Sequence, residues 1–375
     1  MVDVEHMTRE SFDSRIEHLV TDYCAMHGSP QSDDVLKEVT AQAATSSRGG
    51  KRLRAMLLLE TYDAARDESR AEHQTGASDD AAADVACAIE IFQTAALVHD
   101  DIIDDSDMRR GLPAAHKALS RAVGSPSMGR GLAIMLGDLL ATASVDVAHR
   151  ASRSFPESRD ALMDIFLRMH REVEVGQFMD LAVETISLDD PAALRDSAER
   201  TYRWKTASYT TIAPIELGLV CAGADARTAH DAALAIGEPL GVAFQINDDL
   251  IDVIGSSKST GKPVGGDIRE GKRTMLLADA LDGADESDRR HLVESYASAD
   301  ESGRDVERIT GIFKRSGAIA ASRSRIDDLW RQSLTALADR AQALGIRDTS
   351  SLCAMCARFV PTASADGAVG RPSAR

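Results

Sequence analysis

The sequence has few cysteines and no long apolar run, and each shortage excludes a class of protein. Its five cysteines, Cys24, Cys87, Cys221, Cys353 and Cys356, are an odd number spread over 375 residues, which excludes a disulfide framework and favours a reducing compartment. No run of 18 apolar residues lacks a charge, and no basic region followed by an apolar one opens the chain. We therefore expect a cytoplasmic protein without a transmembrane segment.

Basic residues are also in short supply, because 43 Lys and Arg stand against 60 Asp and Glu, a formal charge of −17. A chain with this acidic balance repels phosphate backbones, which argues against nucleic acid as a partner. An anionic substrate must therefore be held by a local cluster of Lys and Arg or through metal ions.

Proline is scarce, at 10 residues, and no Asn-Gly or Asp-Gly turn joins two alternating apolar and polar runs. Apolar residues instead recur at three- and four-residue spacing, for example in 86–98, 162–173 and 232–244. The sequence therefore predicts an all-α protein, a bundle of about ten or more helices packed as one domain.

Three stretches interrupt this helical pattern. Residues 65–84 are rich in Asp, Glu, Ser and Ala and predict a surface loop, whereas 361–375 are small and polar and predict a disordered tail. Residues 255–272 combine five glycines with Lys and Arg. That combination is typical of a phosphate-binding lid, although an ordinary solvated loop is the alternative.

One short pattern, D-D-x-x-D, occurs twice, and its two copies begin 148 residues apart. The first and last Asp of each copy lie one turn apart on a helix, with Cβ atoms about 6 Å from each other, so their charges repel unless a cation offsets them. Carboxylate oxygens suit Mg²⁺ and not zinc. The two clusters are Asp100, Asp101 and Asp104, and Asp248, Asp249 and Asp252.

Cations accompany both clusters. Lys51 and Arg54 follow Gly49-Gly50 in what reads as the opening of a helix, where backbone N–H groups can add to an anion site. Arg109 and Arg110 follow Asp100 by nine and ten residues. With Lys205, Lys262 and Lys272, these charges predict a pocket with two anion sites, one direct and one mediated by metal.

Taken in order, these motifs closely resemble those of the trans-isoprenyl diphosphate synthases, the polyprenyl synthetase family, over roughly residues 35–345. The resemblance implies an isoprenoid-synthase bundle with a central active-site cavity, in which 1–34 form a helical extension, 35–360 the catalytic domain and 361–375 the tail. It also implies a homodimer that condenses C5–C15 allylic diphosphates with isopentenyl diphosphate, using three Mg²⁺ ions.

The same resemblance implies roles for individual residues. Asp100, Asp104 and Asp248 should ligate Mg²⁺, with Asp101, Asp249 and Asp252 close by or joined through water. Arg109, Lys205, Lys262 and Lys272 should serve the allylic diphosphate or the lid over it. Isopentenyl diphosphate should be bound by Lys51, Arg54, Gln93 and Arg110, with Arg358 as a weaker candidate. Gln245 and the Thr206 carbonyl should face the allylic carbon.

Product length should depend on the helix face that leads away from Asp100. Ala95 and Ala96 lie about 6 to 7.5 Å below it and are small, whereas Phe92 lies about 12 Å below and could close the tunnel. We therefore expect mainly a C20 product, geranylgeranyl diphosphate, with C25 or longer as the alternative. Phe92 could equally be plain core, with Met135 on another helix closing the tunnel.

Three other classes of protein compete with this interpretation. A class I terpene cyclase shares one aspartate motif but would lack the Gly49–Arg54 motif and would carry a different second metal motif. A non-catalytic subunit would have lost aspartates from one cluster. An acidic helical scaffold would make every motif a coincidence. The two intact clusters favour the synthase over all three.

Overall fold

The computed structural model describes residues 7–25, 33–66, 76–255, 265–297 and 304–361. The chain divides into two compact units: Met1–Leu167 with Pro214–Ala229, and Arg168–Ala213 with His230–Arg375. The helices in chain order are α1 (Arg9–Cys24), α2 (Asp33–Ser47), α3 (Leu53–Ala65), α4 (Gly76–Ile103), α5 (Ala115–Val123), α6 (Pro126–Ser152), α7 (Arg159–Ala182), α8 (Pro191–Thr201), α9 (Ala213–Cys221), α10 (Ala226–Ile254), α11 (Gly266–Glu270), α12 (Met275–Gly283), α13 (Glu286–Ala297), α14 (Val306–Arg315), α15 (Ala318–Arg340) and α16 (Ser350–Ala357).

Local sequence explains where several of these helices begin. The side chains of Ser125, Asp190, Thr274 and Asp305 each accept a hydrogen bond from a backbone N–H in the first turn of α6, α8, α12 and α14. Proline stands at the first position of α6 and of α8, where its missing N–H costs nothing.

In the first unit, α4 packs against α6 along most of its length. Gly137 of α6 permits the two helices to pack closely, because a Cβ there would lie 2.2 Å from Nε2 of His99 on α4. That ring nitrogen lies 3.2 Å from the carbonyl oxygen of Ile134. The glycine therefore lets α6 approach α4 directly beside the first aspartate cluster.

Two helical stretches of this unit, Ser78–Ile103 and Pro126–Ser152, are long and apolar enough to cross a membrane. In the structure 78% of the most apolar window of the first and 44% of that of the second are buried. Core helices of ordinary globular proteins meet the same criteria, so the two helices are weak evidence for a membrane span.

In the second unit, α10 packs against a π-helical stretch, Tyr202–Ile212. Gly237 and Gly241 permit this contact, because a Cβ on either would lie within 3.0 Å of Ile212 or Ala207 backbone atoms. On the other side, Ser333 of α15 donates to the carbonyl of Ile236 at 2.9 Å. The second aspartate cluster therefore lies on a helix held from two directions.

The all-α prediction is confirmed, but three local expectations are wrong. The loop expected over 65–84 is wrong for 76–84, which belong to α4, while 67–75 lie outside the described residues. A small hairpin, β1 (Met108–Arg109) and β2 (Leu112–Pro113), was not expected. Helix α3 begins at Leu53, so Lys51 precedes the helix whose opening it was expected to share with Arg54.

The acidic start of α4 is helical because its carboxylates have partners elsewhere in the unit. Asp79 accepts from the Tyr62 hydroxyl at 2.9 Å, and Asp84 accepts from Arg15 of α1 at 2.7 Å. These partners lie outside the local sequence, so composition alone suggested a solvated loop. The expected tail lies beyond Pro361, outside the described residues, and the domain boundaries stay a prediction.

Candidate active site

The first aspartate cluster occupies the last turn of α4, and its members have different environments. Asp101 is 2% exposed and accepts from Nε of Arg109 at 2.8 Å. Asp100 is half-buried and Asp104 is exposed, and the Asp104 N–H donates to the Asp100 carbonyl at 2.9 Å. The helical register therefore continues to Asp104, as the sequence predicted, and places Asp100 and Asp104 one turn apart.

The hairpin that follows α4 sends two adjacent arginines in different directions. Arg109 pairs with Leu112 across the strands, so Arg110 and Gly111 form a two-residue turn with φ of 52° and 78°. Positive φ at both positions is the requirement of a type I′ turn. Arg109 reaches back to Asp101, whereas Arg110 reaches the loop before α3, and this separation agrees with the two substrates that the resemblance assigns to them.

Arg109 remains a cation in this setting. Burial by itself lowers its pKa, but the hydrogen bonds to Asp101 and the charges of Asp100 and Asp104 more than offset this, so its pKa is raised. Arg109 and Asp101 thus form a tight pair beside Asp100.

Arg110 lies among other cations. Its Nη1 donates to the carbonyls of Arg48 and Gly49 at 2.9 and 3.1 Å, and its guanidinium passes 3.0 Å from where a Cβ on Gly50 would stand. Burial lowers its pKa, and the nearby charge of Arg52 lowers it further. A bound anion would relieve this repulsion, so the loop before α3 is a candidate diphosphate site.

Three more residues were expected to bind this diphosphate: Lys51, Arg54 and Gln93. Arg54 is 8% exposed at the start of α3, and Lys51 is exposed before it. Gln93 of α4 faces Arg54, with its side-chain oxygen 3.0 Å from Nη1 when the amide is oriented to accept. The structure thus brings Arg54, Gln93 and Arg110 to one region of the first unit.

The face of α4 expected to measure product length is largely buried. Phe92 is 4% exposed and Ala95 is 1% exposed, whereas Ala96 is half-buried. Met135, the alternative floor, is 62% exposed on α6, so it does not belong to the closed interior of its unit. Phe92, Ala96 and Asp100 follow one another at four-residue spacing on one face of α4.

The second aspartate cluster, on α10, repeats the division between a buried and an accessible carboxylate. Asp248 is exposed, whereas Asp249 is 6% exposed and accepts from the hydroxyl of Tyr202. Gln245 donates to Asp249 at 2.9 Å and accepts from the Thr206 hydroxyl at 2.8 Å. Both ends of the Gln245 amide are therefore fixed, which orients this predicted substrate contact.

Burial also changes the acidity of these groups. The pKa of Asp249 lies well above its usual value because the carboxyl is buried, and the charge of Asp267 adds to the effect. Burial likewise raises the pKa of Asp267 to about 6, although Lys272 opposes the shift. Cations or metal ions brought by a substrate would favour the ionised forms of both groups.

Lys205 lies in the π-helical stretch, which runs close to α7. A Cβ on Gly176 would lie 2.2 Å from the Lys205 backbone nitrogen, so only glycine fits there. Nζ of Lys205 is 2.7 Å from a carboxylate oxygen of Asp180, one turn further along α7. A π-helical segment is rare and often marks a functional site.

The predicted lid is described only in part, since Lys262 lies outside the described residues. The carboxylate of Asp252 accepts from the backbone N–H groups of Gly266 and Asp267 at 3.2 and 3.0 Å. Lys272 pairs with Glu270 at 2.9 Å and with Asp267 at 3.4 Å. Asp252 therefore anchors the start of α11, which lies after Lys262 in the sequence. Arg358, the weaker candidate, ends α16 in the second unit.

The carboxylates fit Mg²⁺ that arrives with a phosphate ligand. Within the described ranges, no three His, Cys, Asp or Glu side chains are grouped so as to hold a metal by themselves. Mg²⁺ retains water and is commonly bound by one or two carboxylates together with substrate phosphates. Accessible Asp100, Asp104 and Asp248 suit that mode, and they offer only oxygen donors.

Sequence reasoning missed several residues that hold the site together: Glu90, Asp180, Tyr202 and Asp267. Asp180 lies one turn after Gly176 on the same face of α7, so its spacing from that glycine was a usable signal. Glu90 and Tyr202 had no local signal, because their partners lie 38 and 47 residues away. Asp267 pairs with Lys272 within the stretch expected to form the lid, but its own acidic side chain was not singled out.

Replacing Arg110 by glycine should remove its guanidinium while keeping the hairpin turn, which needs positive φ at this position. Glycine adopts positive φ without strain, which offsets the loss of the two hydrogen bonds from Arg110 to the carbonyls of Arg48 and Gly49, so the free energy of unfolding should change by less than about 1 kcal/mol. The KM for the substrate bound beside Gly49-Gly50 should rise at least about tenfold, because a charged hydrogen-bond donor is lost. Thermal unfolding and substrate-saturation curves measure the two effects, and Arg121→Gly on α5 controls for loss of an exposed arginine. An unchanged KM would contradict the assignment.

Known proteins resemble this chain over most of its length. A family model described as polyprenyl synthetase matches residues 34–313. A short chain isoprenyl diphosphate synthase of Methanothermobacter thermautotrophicus is 31% identical over 363 residues, covering 96% of this chain and 98% of that protein. A geranylgeranyl diphosphate synthase of Sulfolobus acidocaldarius is 31% identical over 309 residues, covering 81% and 85%.

Solved structures give the same result. The geranylgeranyl pyrophosphate synthase of Corynebacterium glutamicum, complexed with isoprenyl diphosphate and magnesium, has a TM-score of 0.75 and 30% identity over 94% of this chain and 99% of that one. Sequence motifs, helical architecture and relatives of nearly equal length all agree, and the chain belongs to the polyprenyl synthetase family.

Proposed function

We propose that this enzyme is a trans-prenyltransferase that condenses an allylic diphosphate with isopentenyl diphosphate and releases diphosphate. The observation that carries the proposal is the shared design of the two D-D-x-x-D clusters. In each, the first Asp is accessible to solvent while the second is buried and held by other side chains. Each such cluster suits Mg²⁺ that arrives with a phosphate ligand, and the similar structure with magnesium supports Mg²⁺, proposed as three ions.

The chemistry requires the C–O bond of the allylic diphosphate to break before the new C–C bond forms. Bound Mg²⁺ would neutralise the leaving diphosphate, and Asp100, Asp104 and Asp248 are proposed to hold it. Arg109, Lys205 and Lys262 are proposed to add positive charge to the same group. The double bond of isopentenyl diphosphate then attacks the allylic cation, and a proton passes to the released diphosphate.

The second substrate is proposed to bind in the first unit, beside Gly49-Gly50. Lys51, Arg54, Gln93 and Arg110 would hold its diphosphate, and the repulsion that lowers the Arg110 pKa would be relieved on binding. Gln245 and the Thr206 carbonyl are proposed to stabilise the allylic cation, since the amide of Gln245 is held at both ends.

Incubation with labelled isopentenyl diphosphate and C5, C10 or C15 primers tests the proposal. We expect Mg²⁺-dependent incorporation with all three primers, a mainly C20 product, and no turnover after EDTA treatment. A cyclic hydrocarbon formed without isopentenyl diphosphate would indicate a cyclase instead. No incorporation with any primer would contradict the proposed function.

Two further properties are proposed. Met128, Ile134 and Met135 expose 46%, 43% and 62% of their surface along α6, which supports a homodimer because monomers rarely leave such a row uncovered. A monomeric mass in sedimentation at micromolar concentration would contradict it.

All five cysteines are free thiols, which supports a cytoplasmic location. Disulfide-linked enzyme in cell extracts prepared under alkylating conditions would contradict that location.

A further inference from the structure

A buried carboxylate that no motif singled out lies next to the proposed isopentenyl diphosphate site. The Glu90 side chain on α4 is 2% exposed and accepts from Nη1 of Arg52 at 3.2 Å. Its other oxygen lies 3.3 Å from the backbone nitrogen of Ala55, in the first turn of α3. Glu90 therefore joins α4 to the start of the helix that carries Arg54.

Glu90 also decides how the Gln93 amide is oriented. An ionised carboxylate only accepts hydrogen bonds and a guanidinium only donates them, whereas an amide does both. Gln93 lies between the two: its nitrogen can donate to Glu90 at 3.1 Å while its oxygen accepts from Arg54 at 3.0 Å. The reverse orientation would set acceptor against acceptor and donor against donor. Glu90 thus orders both Gln93 and Arg54.

We propose that Glu90 is a positioning residue for isopentenyl diphosphate, acting through Gln93 on Arg54. The inference rests on the proposed function and deepens it. Glu90 does not itself reach the substrate in this proposal. It fixes the direction in which the Gln93 amide and the Arg54 guanidinium present their donors, so that binding needs little reorganisation.

Simple electrostatics predicts the opposite of this proposal. Burial and Arg52 lower the pKa of Arg110, and the charge of Glu90 opposes this shift in part. Removing a negative charge beside a diphosphate site should tighten anion binding. If Glu90 positions Gln93 instead, its neutral isostere should weaken binding, because a carboxamide at position 90 permits Gln93 to flip and turn its N–H groups toward Arg54. The direction of the change therefore distinguishes the two roles.

The chain offers a matched control for the loss of charge. Arg52, whose side chain is fully buried, has a second carboxylate partner, Asp13 of α1, with Nε to Oδ1 at 2.7 Å. Asp13→Asn and Glu90→Gln each remove one charge that balances Arg52. Both should lower the Tm, but only Glu90 also contacts Gln93 and Ala55.

The experiment measures KM for isopentenyl diphosphate and for the C15 allylic substrate, with kcat and Tm, in wild type and both variants. We expect Glu90→Gln to raise the KM for isopentenyl diphosphate about tenfold, the scale of one hydrogen bond to a charged group, and to change the allylic KM less than twofold. Asp13→Asn should leave both KM values within about twofold of wild type.

A double-mutant cycle isolates the route through Gln93. Gln93→Leu should raise the same KM, and adding Glu90→Gln to it should change that KM less than twofold further, because the amide to be oriented is gone. Additive effects of Glu90→Gln and Gln93→Leu on this KM would overturn the inference. An equal rise of the KM in Glu90→Gln and in the control Asp13→Asn, or a lower KM in Glu90→Gln, would also overturn it. Inactive wild-type enzyme would instead overturn the proposed function.

Discussion

Replacing Asp100 or Asp248 by alanine is expected to lower kcat about a thousandfold or more. Each is the accessible first aspartate of its cluster, and loss of a metal-mediated stabilisation of several kcal/mol corresponds to a factor of that size. Folding should be much less affected, with changes in the free energy of unfolding within about 1 kcal/mol, because Asp100 is only half-buried and Asp248 is exposed. Single-turnover assays with saturating Mg²⁺ and circular dichroism measure the two effects.

Replacing the buried second aspartate of either cluster, Asp101 or Asp249, should instead lower the stability of the fold. Asp101→Ala leaves Arg109 without its carboxylate partner and should destabilise the fold by about 3 to 5 kcal/mol. Asp249→Ala leaves two neutral donors, on Tyr202 and Gln245, without their acceptor and should cost about 1 to 3 kcal/mol. Asp160→Ala on exposed α7 surface is the control for loss of an acidic helix residue. Near-normal turnover by Asp100→Ala or Asp248→Ala would refute the proposed metal ligands.

Ala96→Phe is expected to shorten the product from C20 to C15. Ala96 lies one turn from Asp100 on the same face of α4, about 6 Å down the proposed path of the chain, and an aromatic ring there would close that path. Because Ala96 is half-buried, the ring can be accommodated at small cost. Ala95→Phe should also shorten the product, but Ala95 is 1% exposed, so overpacking of about 1 to 3 kcal/mol should accompany the change.

Phe92, one turn further, should act in the opposite direction. Phe92→Ala is expected to lengthen the product beyond C20. Because the ring is 4% exposed, this change should lower the free energy of unfolding by about 3 to 5 kcal/mol. Phe92→Leu should lengthen the product less and destabilise the fold less. Leu97→Phe, half-buried on the neighbouring face, is the control and should leave product length unchanged. Product chromatography after exhaustive elongation measures the lengths. Identical products from Ala96→Phe, Phe92→Ala and wild type would show that this face does not measure the chain.

The sequence by itself determined the features that depend on neighbours within one or two helical turns. Apolar spacing of three and four residues predicted the helices, and D-D-x-x-D predicted that Asp100 and Asp104 share a face, which the Asp104 N–H to Asp100 carbonyl bond confirms. The order of the motifs identified the family that the comparisons establish. These inferences succeed because the period of a helix converts residue spacing directly into direction.

Only the tertiary structure decided which member of each cluster is buried and what each charge meets. Asp101 and Asp249 look like their neighbours in sequence, yet Arg109 holds one and Tyr202, 47 residues away, holds the other. Glu90 had no signal at all, because its partners Arg52 and Ala55 come from another helix and the residue before it. Burial and pairing of charges depend on which elements pack together, and local spacing carries no information about that.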